Sequence, residues 1–117
     1  MTAWDSVPVV KGTVDLLVLK ALSWGPMHGW GISTWLEQQS GGSLVINDSA
    51  MYQVLHRLEA RDDVEATWAV TENNRRARFY KRTPAGRRRL RQETETWLRS
   101  SDFVTGILTL TARGSAG

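Results

Sequence analysis

No cysteine occurs in the chain, which removes disulfides and thiolate-held metals together. Histidine is scarce as well, with His28 and His56 the only two. They fall on different predicted helices, and no carboxylate is spaced to form a catalytic or metal site with either. There is no glycine-rich phosphate loop. Little chemistry is left for an enzyme, and no catalytic residue, metal or cofactor is expected. No apolar run reaches the roughly 20 residues of a membrane-spanning helix. The opening residues, Met1 to Gly12, lack the basic-then-apolar pattern of a secretory signal. A cytoplasmic protein without a membrane partner is the expectation.

The 117 residues suit one compact domain, 41% apolar and 23% charged. A domain of this size buries a modest core, and a second subunit is a natural source of further burial. The net charge is only +3, but its distribution is uneven. Arg75, Arg76, Arg78, Lys81, Arg82, Arg87, Arg88, Arg89 and Arg91 supply nine of the fifteen basic residues, with no acid among them. Such a stretch is the electrostatic footprint of a polyanion partner; a solvated basic face is the plainer alternative.

Periodicity divides the chain into helix, helix, helix, hairpin and long helix. Residues 1–9 read as a loose arm. Val14, Leu17, Val18, Ala21 and Leu22 mark a helix from about Val10 to Ser23, ended by Gly25-Pro26. Trp30, Ile32, Trp35 and Leu36 mark a second, from about His28 to Gln39. Leu44-Val45-Ile46 offers a stub strand at most. Asn47, Asp48 and Ser49 are candidate N-caps for a third helix running to about Arg61. Its apolar stripe is Met51, Val54, Leu55 and Leu58, and its outer face is Ser49, Tyr52, Gln53, His56 and Arg57. An apolar back with donors and acceptors in front is what a helix reading the major groove needs; any amphipathic surface helix shares that pattern.

Val64, Ala66, Trp68 and Val70 then alternate with Glu65, Thr67 and Ala69, as in a strand. Thr71 to Arg76 reads as a polar turn and Ala77 to Thr83 as the return strand, with Phe79 and Tyr80 on opposite faces. A hairpin tip carrying arginines after an amphipathic helix is a wing. Thr83 and Pro84 open the last helix as N-cap and first helical residue. Leu90, Thr94, Trp97, Ser101, Val104 and Leu108 alternate spacings of four and three, a heptad seam. A helix to about Leu110 is too long to lie on so small a domain. It is expected to project onto a partner through Leu90, Trp97, Val104 and Leu108. Residues 111–117 are expected to be disordered. Of the six tryptophans, Trp30, Trp35 and Trp68 are assigned to the core, whereas Trp4 and Trp24 have no evident place.

The predicted class is α+β, mainly α: a winged helix-turn-helix over residues 10–83, followed by a dimerisation helix over 84–110. At this point residues 10–110 resemble the PadR family of bacterial transcriptional regulators. Four segments carry the likeness: Lys11–Leu22, Gly25–Ile32 with Trp30 between two glycines, Met51–Glu59 and Arg75–Gly86. One helix after the wing is similar to the family's short subclass. Asp62-Asp63 stand where the family usually has a glycine and an apolar residue, so a less regular turn is expected there.

The resemblance implies a homodimer placing two recognition helices in successive major grooves of a pseudo-palindromic, double-stranded DNA operator, mostly as a repressor. Ser49, Tyr52, Gln53, His56 and Arg57 would face the bases, with Gln53 suited to adenine, Arg57 to guanine and Tyr52 to a phosphate. His56 is equally a solvent-facing histidine without a role. Arg75, Arg76 and Arg78 would lie along the wing. The resemblance further implies a small aromatic or cationic effector stacked between paired Trp97 rings at the subunit interface. Leu16, Ser101 and Val104 would flank it and Asp15 would supply opposite charge. Trp97 is otherwise simply an anchor of the dimer core. A winged-helix protein-interaction module without DNA binding is the competing function.

Overall fold

The computed structural model describes residues 12–114. The expected arm, and the tail's last three residues, fall outside them. Helix α1 spans Thr13–Ala21 and continues into a 3₁₀ turn, Leu22–Trp24. Strand β1 is Met27–His28, α2 Gly29–Gln39 and α3 Asp48–Ala60. The hairpin is β2, Val64–Val70, and β3, Arg76–Arg82. Helix α4 runs from Pro84 to Leu108. The three-stranded sheet is antiparallel in the order β1-β3-β2. This is a winged helix-turn-helix, four helices and a small sheet. Among the described residues no helix is long and apolar enough to cross a membrane.

Helices α1, α2 and α3 bury their stripes against one another: Val18, Leu19, Ile32, Leu36, Met51, Val54, Leu55 and Leu58 form the centre. Val64, Tyr80 and Leu90 add the roots of the hairpin and of α4. Leu58 is fully buried, and its truncation to alanine costs about 2–5 kcal/mol. Leu44 and Ile46 pack against this core from an irregular segment; no strand forms there.

The caps follow local chemistry. Asn47 Oδ1 accepts from Ala50 N–H at 2.8 Å, and Thr83 Oγ1 from Gly86 N–H at 3.0 Å ahead of Pro84. Unforeseen in the sequence, His28 ends β1 and caps α2, its Nδ1 accepting from Gly31 N–H at 3.0 Å. Its ring meets Phe79 edge-on at 5.2 Å.

The turn after α3 is regular, contrary to expectation. Asp62 takes the left-handed conformation (φ 63°) that glycine usually fills. Its N–H donates to Glu59 O at 3.0 Å, and Asp63 N–H donates to Leu58 O at 2.9 Å. That is the Schellman pattern closed by an aspartate. Gly86 of α4 lies directly on this turn: a Cβ there would stand 2.0 Å from Asp63 O.

Two core assignments are corrected. Trp30 and Trp68 are exposed, and only the root of β2 is covered, because the hairpin extends beyond the helices. Trp35 does pack against the core.

Candidate nucleic-acid interface

With its apolar stripe fixed in the core, α3 turns Ser49, Tyr52, Gln53 and His56 outward, all exposed. Tyr52 and His56, one helical turn apart, stack at 5.9 Å between ring centroids. Arg57 sits on the flank of this face and points toward α1. Its Nη2 lies 2.6 Å from Asp15 Oδ1 and its Nε 3.0 Å from Oδ2, a bidentate pair. Hydrogen bonding and charge from Asp15 push the Arg57 guanidinium's pKa above its ordinary value.

The pair is one link in a longer chain. Arg61 Nη2 reaches Asp15 Oδ2 at 3.3 Å, and its Nε reaches Asp63 Oδ2 at the same distance. Arg89 Nε of α4 approaches the same Asp63 oxygen at 2.7 Å, and its Nη1 reaches Glu93 at 3.5 Å. Asp15 and Asp63 are buried. A buried carboxylate without a cation is costly, so the two aspartates require these arginines where they are. The Asp63 contact pushes the Arg89 pKa up in turn.

The wing differs. Its loop is closed by Thr71 N–H donating to Arg75 O at 2.7 Å and by Asn74 in the left-handed region at φ 59°. Among the described residues, Arg75 and Arg76 contact no carboxylate. The Arg76 guanidinium lies 4.5 Å from the centroid of the Trp68 ring. Arg78 is engaged internally, 3.0 Å from Glu59 of α3, which ties the wing to that helix. Lys81 pairs with Glu65 across the ladder at 3.1 Å, an exposed pair worth about 0–1 kcal/mol. Arg82 is partly covered; burial first, then Arg87, lowers its pKa.

The first turns of α4 rest on α1, and Leu90 belongs to the domain's own core. As far as Ser100 the helix borders grooves shared with α1, and its later residues lie in neither. Trp97, Val104 and Leu108 are exposed, as are Leu98, Phe103 and Ile107. Trp97 and Leu16 border two adjoining grooves between α1 and α4. One, about 290 Å³, also involves Leu17, Lys20 and Thr94; the other, about 440 Å³, is edged by Glu93 and Ser100.

A profile of the PadR-like transcriptional regulator family matches residues 18–92. The chain belongs to the PadR-like family. The regulator is 40% identical over 90 residues to an uncharacterised protein in a transposon of Streptomyces fradiae, covering 77% of this chain and 24% of that protein. A PadR-family transcriptional regulator from Eggerthella lenta has a solved structure with a TM-score of 0.75 at 25% identity, with 86% of each chain covered. A protein of Streptococcus mutans is similar with a TM-score of 0.78 at 23% identity, covering 93% of this chain and 98% of that one. The family places this regulator among DNA-binding transcription regulators rather than enzymes.

Several expected site residues of the regulator are thereby relocated. Ser49, Tyr52, Gln53 and His56 share one exposed face, and Arg75 and Arg76 stand beside it on the wing. Arg57 and Arg78 are committed to Asp15 and Glu59 within the fold. Asp15 is buried against α3 and does not line the grooves beside Trp97, and neither do Ser101 and Val104. Leu90 is internal and is not available to a dimer seam. Sequence reasoning missed Asp63, Arg61 and Arg89, whose partners lie on other elements. It also missed Phe103 and Ile107, four residues apart and off the seam; that spacing is a legible signal.

Proposed function

We propose that this regulator is a homodimeric repressor that recognises a pseudo-palindromic operator through α3 and the wing. The observation that carries the reading is the juxtaposition of an exposed polar face on α3 with two wing arginines that contact no carboxylate among the described residues. Ser49, Gln53 and His56 face the major groove, Gln53 suits adenine, and Tyr52 contacts a phosphate. Arg75 and Arg76 reach the adjoining backbone or minor groove. The exposed apolar residues of distal α4, centred on Trp97, Val104 and Leu108, form the subunit interface; a soluble monomer rarely leaves so much apolar surface uncovered.

A flat aromatic effector stacked on Trp97 and Leu16 is the ligand this interface favours, with release from DNA as its effect. The carboxylate beside that groove is Glu93, not Asp15, so a cationic ligand draws its counter-charge from Glu93.

Titration of the protein against duplexes from its own upstream DNA, at several salt concentrations, tests the reading. Sequence-selective binding that weakens as salt rises is expected. Binding indifferent to both would leave the winged helix as a protein-interaction module. Substituting Gln53 is expected to change sequence preference more than overall affinity, measured on operator variants. Trp97→Ala is expected to loosen the dimer, read by sedimentation.

A further inference from the structure

Three large aromatic side chains on the proposed DNA-facing side are more than half exposed: Trp30 at 67%, Tyr52 at 63% and Trp68 at 58%. All three line a single cleft of about 390 Å³. It lies between the start of α2, the first half of α3 and the β2–β3 ladder, with Met51 and Leu55 among its lining. The fold makes little use of these rings. Trp30 stacks on His28 at 6.2 Å and Trp68 lies under Arg76, yet each leaves most of its surface to water. Exposed apolar surface gathered in one place marks a binding site.

The charges around the cleft favour one kind of occupant. Arg76 stands over Trp68, and Arg75 is its neighbour on the wing; neither has a carboxylate contact among the described residues. Arg78 lines the cleft but is already held by Glu59. Asp48 is the single acid in the lining, and it sits in the first turn of α3, where the helix dipole offsets its charge. On the wing loop and its return strand Arg75 and Arg76 outnumber the one acid of the tip, Glu72.

We propose that this cleft seats one deoxyribose–phosphate strand of bound DNA, with Trp30 and Trp68 packing on sugar faces and Arg76 pairing with a phosphate. The inference rests on the reading of α3 and the wing as groove-entering elements. In a duplex, a major groove and the adjoining minor groove are separated by a single sugar-phosphate strand. If α3 enters one groove and the wing its neighbour, that strand passes over the space between them, which is this cleft. Deoxyribose presents an apolar face that suits indole walls, and the phosphates that alternate with it suit arginine. Stacking on Trp68 holds the Arg76 guanidinium flat and limits its rotamers before binding, so less freedom is lost on contact. Trp30 and Trp68 are therefore sequence-independent anchors that set how deeply α3 sits in its groove.

The test uses the full chain labelled with 5-fluorotryptophan, the tryptophan signals being assigned by single Trp→Phe substitutions. Binding of the unsubstituted protein to its upstream duplex is measured first; failure there removes the DNA reading itself and is distinguishable from failure of the cleft. Given binding, the fluorine signals of Trp30 and Trp68 are expected to shift with duplex while that of Trp24 stays. Trp68→Ala is expected to weaken operator and unrelated duplex alike, by about tenfold. Trp68→Phe is expected to restore most of that loss, and the melting temperature of the free protein is expected to hold, because the ring is exposed. Unmoved Trp30 and Trp68 signals with Trp68→Ala binding unimpaired would overturn the proposal. So would signals that respond to a small aromatic compound and not to duplex.

Discussion

Arg57, Arg61 and Arg89 each touch a buried carboxylate, whereas Arg75 and Arg76 touch none among the described residues. The two groups have the same chemistry, yet the fold consumes the first and leaves the second. Asp15 and Asp63 make the difference. Each is buried, and each draws in two guanidinium groups, so helices α1, α3 and α4 are joined through charge as well as through packing. At the wing tip no such demand exists, and the positive charge stays available to a partner. Counting arginines overstates the charge available to DNA; the position of the buried acids decides how much remains.

The sharpest way to break this division is to remove Asp63. Asp63→Ala deletes the carboxylate shared by Arg61 and Arg89 and is expected to lower folding stability by about 3 kcal/mol, measured by urea unfolding. An unchanged midpoint would mean that the fold does not need its arginines. Asp15→Asn tests whether Arg57 can be moved from one group to the other. A stability loss of about 2 kcal/mol is expected. The salt dependence of DNA binding is expected to steepen by about one phosphate contact as Arg57 is freed. The wing gives the converse. Arg75→Ala with Arg76→Ala is expected to leave stability within about 0.5 kcal/mol, while the salt slope flattens by about two; a large stability loss would place these arginines in the first group.

Arg78, held by Glu59 and 5.8 Å from the Tyr80 ring, stands on the border, and its effect is the smallest. Burial pushes the Tyr80 phenol above its ordinary value, and Arg78 draws it back. A raised value means that folding favours the neutral phenol. Its contribution to stability is therefore intact below about pH 10 and is lost as the pH climbs through the folded-state value. Arg78→Ala is expected to move the phenol's ionisation higher still, read from ultraviolet absorbance against a Tyr80→Phe blank.

What the sequence discloses and what it withholds divide along the range of the interactions. The helical stripes, the hairpin, the Thr83-Pro84 start of α4 and the outer face of α3 are set by neighbours within a few residues, and each is readable. Strand β1 is not, because two residues become a strand only by pairing with β3, some fifty positions later. Nor is the Asp15–Arg57 bond, which spans 42 positions. Asp62 replaces the expected glycine because an aspartate tolerates the left-handed region better than most residues. Trp30 and Trp68 are misplaced because hydrophobicity assigns a residue to cover without saying whether the fold or a partner supplies it. Leu90 keeps the heptad phase of the seam, yet its turn of helix rests on its own α1.

The contact between Gly86 and the Asp63 carbonyl can also be viewed as a mechanical joint. The absent side chain brings the start of α4 directly onto the turn that ends α3, and Arg89 fastens it there. From that fulcrum α4 extends roughly 37 Å over its 25 residues. A tilt of about 3° at the joint displaces the far end by roughly 2 Å, the scale on which packed helices shift in switching proteins. Conversely, a modest displacement at the apolar end of the arm is geared down to a small rotation at the base of the recognition helix. On the proposed dimer, an occupant of the far end of α4 would act on DNA with a long lever and fine resolution.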